Sequence, residues 1–173
     1  MIDGVGGDPS SCSQLGGDLL TRAAALMSAA ALVADARPRR SGSAAGPAAG
    51  RDLRLAETLV DRLDSAGAAL QRFAQELSEQ TEELRRLEAD LASAGLVLDG
   101  LRVVEPWGPA AVDVAARRRA ELPVLAARAE RLASRVGRSR AHLQRALTES
   151  TGILTRAAAA ARESLGRAAG PPS

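Results

Sequence analysis

The sequence predicts an all-α fold, an elongated antiparallel helical hairpin or bundle of three to four helices with coiled-coil-like seams. Three observations predict it. The chain is 46% apolar but holds one Trp, one Phe and no Tyr, so Ala, Leu and Val supply nearly everything that can be buried; Ala and Leu are also among the strongest helix formers. Leu63, Leu70, Leu77, Leu84 and Leu91 recur every seven residues without interruption, the period of a helical seam. A second long series, Ala115, Leu122, Ala129, Val136 and Leu143, with Leu125, Leu132 and Ala146 between, offers that seam a partner of comparable length.

Residues 1–8 read as a flexible N-terminus and residues 9–36 as the first helix. Gly7-Asp8-Pro9 places a capping carboxylate directly before a proline at the first helical position, where its missing N–H costs nothing. Cys12, Leu19, Leu26 and Val33 then recur by sevens, with Leu15, Ala23 and Ala30 between them. Gly16 and Gly17 each cost about 1 kcal/mol relative to Ala inside a helix, so they mark either fraying or close approach to another backbone. Residues 37–51, RPRRSGSAAGPAAG with the following Arg, have no apolar period and read as a flexible linker.

The region 52–168 is expected to form a long helical hairpin with its turn at 95–109. Its first arm adds Leu59, Ala66, Phe73, Gln80, Leu87 and Ala94 to the leucine series. About 43 residues at about 1.5 Å each make a rod of roughly 65 Å, which requires an equally long partner. That partner is the second arm, in which Pro123 is expected to introduce a kink. Between the arms, Leu96 to Val104 could form two very short strands around Asp99-Gly100. Residues 169–173 are expected to be a disordered tail, and the whole to be one domain. The hairpin leaves the first helix to pack on the N-terminal half of the second.

Charge is unevenly spread. All 23 basic residues are Arg and the net charge is +2, yet residues 1–100 carry 10 Arg against 15 acids and residues 101–173 carry 13 Arg against 6 acids. Complementary flanking charge along a seam accounts for this. A surface for nucleic acid is the competing reading, weakened by the acids that interrupt the basic segments and by the shortage of aromatics for stacking bases.

No constellation for catalysis emerges. Cys12 is alone, His142 is the only histidine and no acidic cluster surrounds it, so neither a metal site nor a nucleophile with its base is expected. His142 is expected to be a solvent-facing or satisfied helix histidine. The glycines of GVGGDP lack the preceding strand and the following Lys-Ser/Thr of a phosphate loop. No cofactor is expected, and the chain is read as a non-enzyme. The N-terminal segment shows no secretory signal pattern, and the apolar runs around 23–34 and 157–161 are too short and alanine-rich to span a bilayer. Arg37, Arg39 and Arg40 in the linker, and Arg117, Arg118 and Arg119 in the second arm, serve solubility or pairing with the acidic arm; contact with phosphate is the alternative.

Trp107 stands in a Pro-Trp-Gly-Pro turn between the two arms. It is expected to plug the end of the hairpin, with an exposed anchor for a partner as the other reading. The residues expected to make the seam or its contacts are Leu63, Leu70, Phe73, Leu77, Leu84, Leu91, Trp107, Leu122, Leu125 and Leu132.

Gly7-Asp8-Pro9 opening an Ala/Leu helix, a long helix ending in Ala94-Gly95-Leu96, and Trp107-Gly108-Pro109-Ala110-Ala111 starting the next helix together resemble the helical-hairpin proteins of actinobacterial type VII secretion, the WXG-motif family. The pair here is Trp-Gly with no residue between, and with no Tyr the chain carries no tyrosine-based export motif. The resemblance implies a non-enzymatic helical partner, a homodimer or a companion to another helical protein, cytoplasmic or exported alongside that partner without a cleaved signal peptide. Nucleic-acid or nucleoid association and a purely structural coiled-coil spacer are the other classes left by the sequence.

Overall fold

The computed structural model describes residues 8–35 and 46–168. The fold is all-α: helices α1 (Pro9–Asp35), α2 (Gly46–Ala94) and α3 (Val112–Ala168), with a two-stranded hairpin, β1 (Val97–Asp99) and β2 (Arg102–Val104), between α2 and α3. Most of the expected N-terminus, the first part of the expected linker and the expected tail lie outside the described residues. Helix α2 begins at Gly46, so the end of the stretch read as linker is helical. Two compact units are distinguished, one of Met1–Cys12 with Arg72–His142 and one of Ser13–Gln71 with Leu143–Ser173.

In the first unit, the start of α1 is fixed by Asp8. Its carboxylate accepts from the amides of Ser10 and Ser11 and from both of their hydroxyls, satisfying donors that the first helical turn leaves open. The core of this unit gathers Leu84, Leu87, Leu91, Ala94 and Leu96 with Leu125, Ala129, Leu132 and Val136. Helix α2 stops at Ala94 because Gly95 turns left-handed, at φ 71°. The Leu96 amide then donates to the Leu91 carbonyl at 2.8 Å and the Gly95 amide to Ala92 at 3.1 Å, the paired bonds of a Schellman stop. Leu96 and Leu91, which such a stop brings into contact, are both almost fully buried.

The hairpin pairs Val97 with Val104, Leu98 with Val103 and Asp99 with Arg102. Gly100, at φ 63°, supplies the left-handed first turn position. So small a hairpin is marginal alone. Here Leu98, Leu101 and Val103 lean against the helical core, joined by Leu122 from α3. Helix α3 carries Asp113 in its first turn, favourable at the positive end of the helix dipole, and runs on through Pro123 as one helix, not two. Pro123 is exposed, so the carbonyl that loses its amide partner faces solvent.

In the second unit, α1 meets α2 by backbone approach. A Cβ built on Gly16 would stand 3.0 Å from the Gly67 carbonyl oxygen, and one built on Gly67 would stand 2.9 Å from that of Gly16. Gln71 closes the crossing, its Nε2 donating to the Ser13 carbonyl at 2.7 Å while the Ser13 hydroxyl donates to Gln71 Oε1 at 3.1 Å. The contact falls at 67–71, at the inner end of the N-terminal half of α2. Of the stripe expected along α1, Ala23 is buried, Cys12, Leu19, Leu26 and Ala30 are half-buried, and Leu15 and Val33 are exposed. No residue from Ala24 to Asp35 is buried. By length and composition α1 is apolar enough to cross a membrane, a property the alanine content of its run argued against; Asp18 and Arg22 lie within it.

Candidate interaction surfaces

The seam residues divide by burial. Phe73, Leu77, Leu84, Leu91, Leu125 and Leu132 of the first unit and Leu70 of the second are buried; Leu122 and Leu63 are half-buried. The structure brings Leu84, Leu91, Leu125 and Leu132 into one cluster, with Leu122 against it. These residues hold the fold together and are not available to a partner.

Trp107 is the exception and corrects the expectation of a plug. Its exposure is 105%, that of an indole with nothing over it. The reason is local. Strand β2 ends at Val104, and the residues packed against the core at this end are Leu96, Leu98, Leu101 and Val103, so Trp107, three residues past the strand, is not among those that cover it. Gly108, at φ 128°, then lets the chain leave the hairpin in a direction other residues rarely adopt. Val112 beside it is also strongly exposed. Glu105 and Asp113 flank the pair as exposed carboxylates.

A second surface runs beside the α2–α3 seam of the first unit. Glu76, Glu83 and Asp90 follow one another by sevens on α2, and Arg128, Arg135 and His142 do so on α3, so each set forms a ridge. Two ion pairs tie the ridges together, Arg135 with Glu83 and Arg128 with Asp90. Beyond the Arg135 pair the ridges part around a cleft of about 360 Å3, with Glu76, Glu79 and Glu83 on one wall and Arg135, Arg138 and His142 on the other. Gln80 and Ser139 also line this cleft. The Gln80 amide donates from Nε2 to Ser139 Oγ at 3.0 Å, while its Oε1 is buried without a partner. Either orientation of the amide leaves one of its polar ends unmatched.

His142 is exposed, as expected. Among the described residues no group of three or more His, Cys, Asp and Glu could hold a metal ion. The linker arginines Arg37, Arg39 and Arg40 lie outside the described residues. Of the arginine run on α3, Arg117 and Arg119 are exposed. Arg118 lies over the end of α2, its Nε 3.2 Å from where a Cβ on Gly95 would stand; near that terminus a cation meets the negative end of the helix dipole.

Sequence reasoning did not single out the Gln80–Ser139 contact or the pairing of Gly16 with Gly67. The signal for the first was a polar residue inside an otherwise apolar companion series. For the second it was glycines inside both helices, which mark a possible close approach but name no partner by themselves. No family model, curated protein or solved structure matches the chain.

Proposed function

We propose that this chain is a non-enzymatic helical interaction protein that binds a helical partner protein or a second copy of itself. The observation that carries the reading is Trp107, a fully exposed indole in the connection between β2 and α3. Soluble surfaces rarely present a lone large aromatic so completely, whereas tryptophan is the residue most enriched where binding energy concentrates. Val112, five residues further on, is also strongly exposed, and Glu105 and Asp113 are exposed carboxylates in the same stretch of sequence. The exposed apolar residues of α1, Met27, Leu32 and Val33, add a second unfilled surface. The resemblance to the type VII secretion WXG-motif proteins agrees with this reading and extends it to a companion that stays in the cytoplasm or is exported with its partner.

The test is site-specific photocrosslinking in the source cell. A crosslinking side chain at position 107 should capture one defined protein or a second copy of the chain, and the same group at Arg86, exposed on α2, should not. Equal, diffuse products from both positions would overturn the reading.

One observation favours a second reading. Arg117, Arg131 and Arg138 are exposed along α3 with no carboxylate partner among the described residues, as a nucleic-acid surface requires. It predicts duplex binding that falls steeply with salt, and a titration without that slope removes it.

A further inference from the structure

From Ala23 to Ala34, helix α1 carries no charged residue. Its only polar side chain there is Ser28, whose hydroxyl donates to the Ala24 carbonyl at 3.0 Å and so needs no water. Ala23 is buried and Leu26 and Ala30 are half-buried, which marks one narrow stripe turned toward the rest of the second unit. Every other apolar residue of the run is exposed. At about 100° per residue Met27, Leu32 and Val33 point to three different sides, and Leu32 stands opposite Ala23 and Ala30. An ordinary surface helix turns a polar face to water; this one has none. Charge begins where the run ends. Between Asp35 and Asp52 the sequence carries Arg37, Arg39, Arg40 and Arg51 and no acid. Arg51, and Arg54 after it, are exposed at the start of α2.

We infer that the second half of α1 docks on an anionic phospholipid surface, lying in the boundary between headgroups and acyl chains, with the arginines that adjoin it in sequence on the lipid phosphates. This goes beyond the interaction reading and makes no use of Trp107. The contact is peripheral. The uncharged run is about 18 Å long by helix rise, against about 30 Å of hydrocarbon in a bilayer. The first half of α1 is held on α2 at Gly67 and Gln71, and it contains Asp18 and Arg22.

The distribution of side chains selects lipid over a protein groove. A groove grips one face of a helix through large side chains three, four and seven residues apart. Here the three large exposed side chains point apart and alanine fills the space between them, so no face offers such a set. Acyl chains are fluid, close around a helix from several sides and require no matching shape. The arginines then select the headgroup, since an anionic surface attracts a basic segment beside an apolar one. Neither signal holds the chain alone. Together they give reversible binding that needs anionic lipid and weakens with salt.

The experiment is co-sedimentation of the full chain with vesicles of phosphatidylcholine alone and of equal parts phosphatidylcholine and phosphatidylglycerol, at low and high salt. The native chain should bind the mixed vesicles about tenfold or more tightly than the neutral ones, and several-fold less tightly at high salt. Leu32→Ser with Val33→Ser should weaken that binding about tenfold. Both side chains are more than half exposed, and circular dichroism checks that helicity is kept. Should the double variant lose helicity, Leu32→Ala replaces it, with several-fold weaker binding expected. Val124→Ser, at an exposed apolar position of α3, should bind as the native chain does. Trp107→Ala should as well, and the emission of Trp107, the chain's one tryptophan, should keep its solvent-exposed maximum on the vesicles. A native chain that stays in the supernatant, equal binding to both vesicles, or a serine variant that binds like the native chain would each overturn the proposal. Binding lost in Trp107→Ala would overturn it by moving the contact to the connection before α3. A crosslinking side chain at Leu32 that captures one protein, from a chain that ignores vesicles, would give the face to a protein groove and overturn it too. Failure of capture at position 107 would sink the interaction reading and leave this one standing.

Discussion

A Cβ on Gly67 would stand 2.9 Å from the carbonyl oxygen of Gly16 and 2.9 Å from Leu20 Cγ, so α1 and α2 meet where neither has a side chain. The backbone oxygen cannot move aside as a side chain can. Gly67→Ala should therefore lower stability by about 1–3 kcal/mol, despite the gain of about 1 kcal/mol that alanine ordinarily brings to a helix. Gly137 in α3 has nothing within 4 Å of its hypothetical Cβ, and Gly137→Ala should raise stability by up to about 1 kcal/mol. Urea melts of the two variants should move in opposite directions; a shift in the same direction would remove the close crossing.

The seam allows a graded test. Leu132 is fully buried among core leucines, whereas Leu63 is half-buried. Leu132→Ala should cost about 2–5 kcal/mol, the range for a large-to-small change in a packed core, and Leu63→Ala well under half of that. Leu77, 1% exposed, should not tolerate Leu77→Asp, since a carboxylate there would be buried without a partner. Native helicity and melting in that variant would refute the seam assignment.

How much of this was legible in the sequence follows from what each residue reports. The leucine heptads fixed the helices and most of the core, because seven-residue spacing names a face and the face must be buried. The tip was not legible in the same way. Size and apolar character favour a plug at Trp107, but it lies past the end of β2 with nothing over it, while Leu96, Leu98, Leu101 and Val103 pack on the core; a lone indole in a connection has no period to name its face. Helix α1 shows the opposite limit. Its stripe is regular in sequence, yet a period does not say how far along the helix a neighbour extends, and beyond Ala23 its members Leu26 and Ala30 are only half-buried.

Gln80 is where the apolar period breaks inside the core, and its amide is only half satisfied. Replacing a buried polar group by an apolar one of similar volume removes the unmatched atom, and Ser139, half-buried, can turn to solvent. Gln80→Leu should leave the melting temperature unchanged or higher. A clear loss of stability would show that Gln80 is fully paired.

Pro123 lies well inside α3 and is exposed. A proline there removes one helical hydrogen bond and crowds the preceding turn, at about 3 kcal/mol relative to alanine in a helix interior. Pro123→Ala should stabilise the protein, by up to that amount if the helix is otherwise regular, as read by thermal melting. No gain would mean that α3 is already bent there to relieve the clash.

At the start of α1 the Asp8 carboxyl is held well below its ordinary value, first by the hydroxyls of Ser10 and Ser11 and then by their amides. All four contacts favour the charged form, so the folded value is depressed and the sign follows. The cap's contribution is complete above the carboxylate's ordinary value of 3.8 and is lost as pH falls through the lower folded value. Carboxyl-carbon NMR should show Asp8 titrating below an ordinary aspartate, and Ser10→Ala with Ser11→Ala should bring its midpoint back up. Asp8→Asn should keep the cap, since asparagine serves nearly as well there, while abolishing the acid-dependent fraying of the Ser10 and Ser11 amides. An Asp8 midpoint at the ordinary value would mean that the two serine hydroxyls point elsewhere in solution, and the start of α1 would then rest on Pro9 alone.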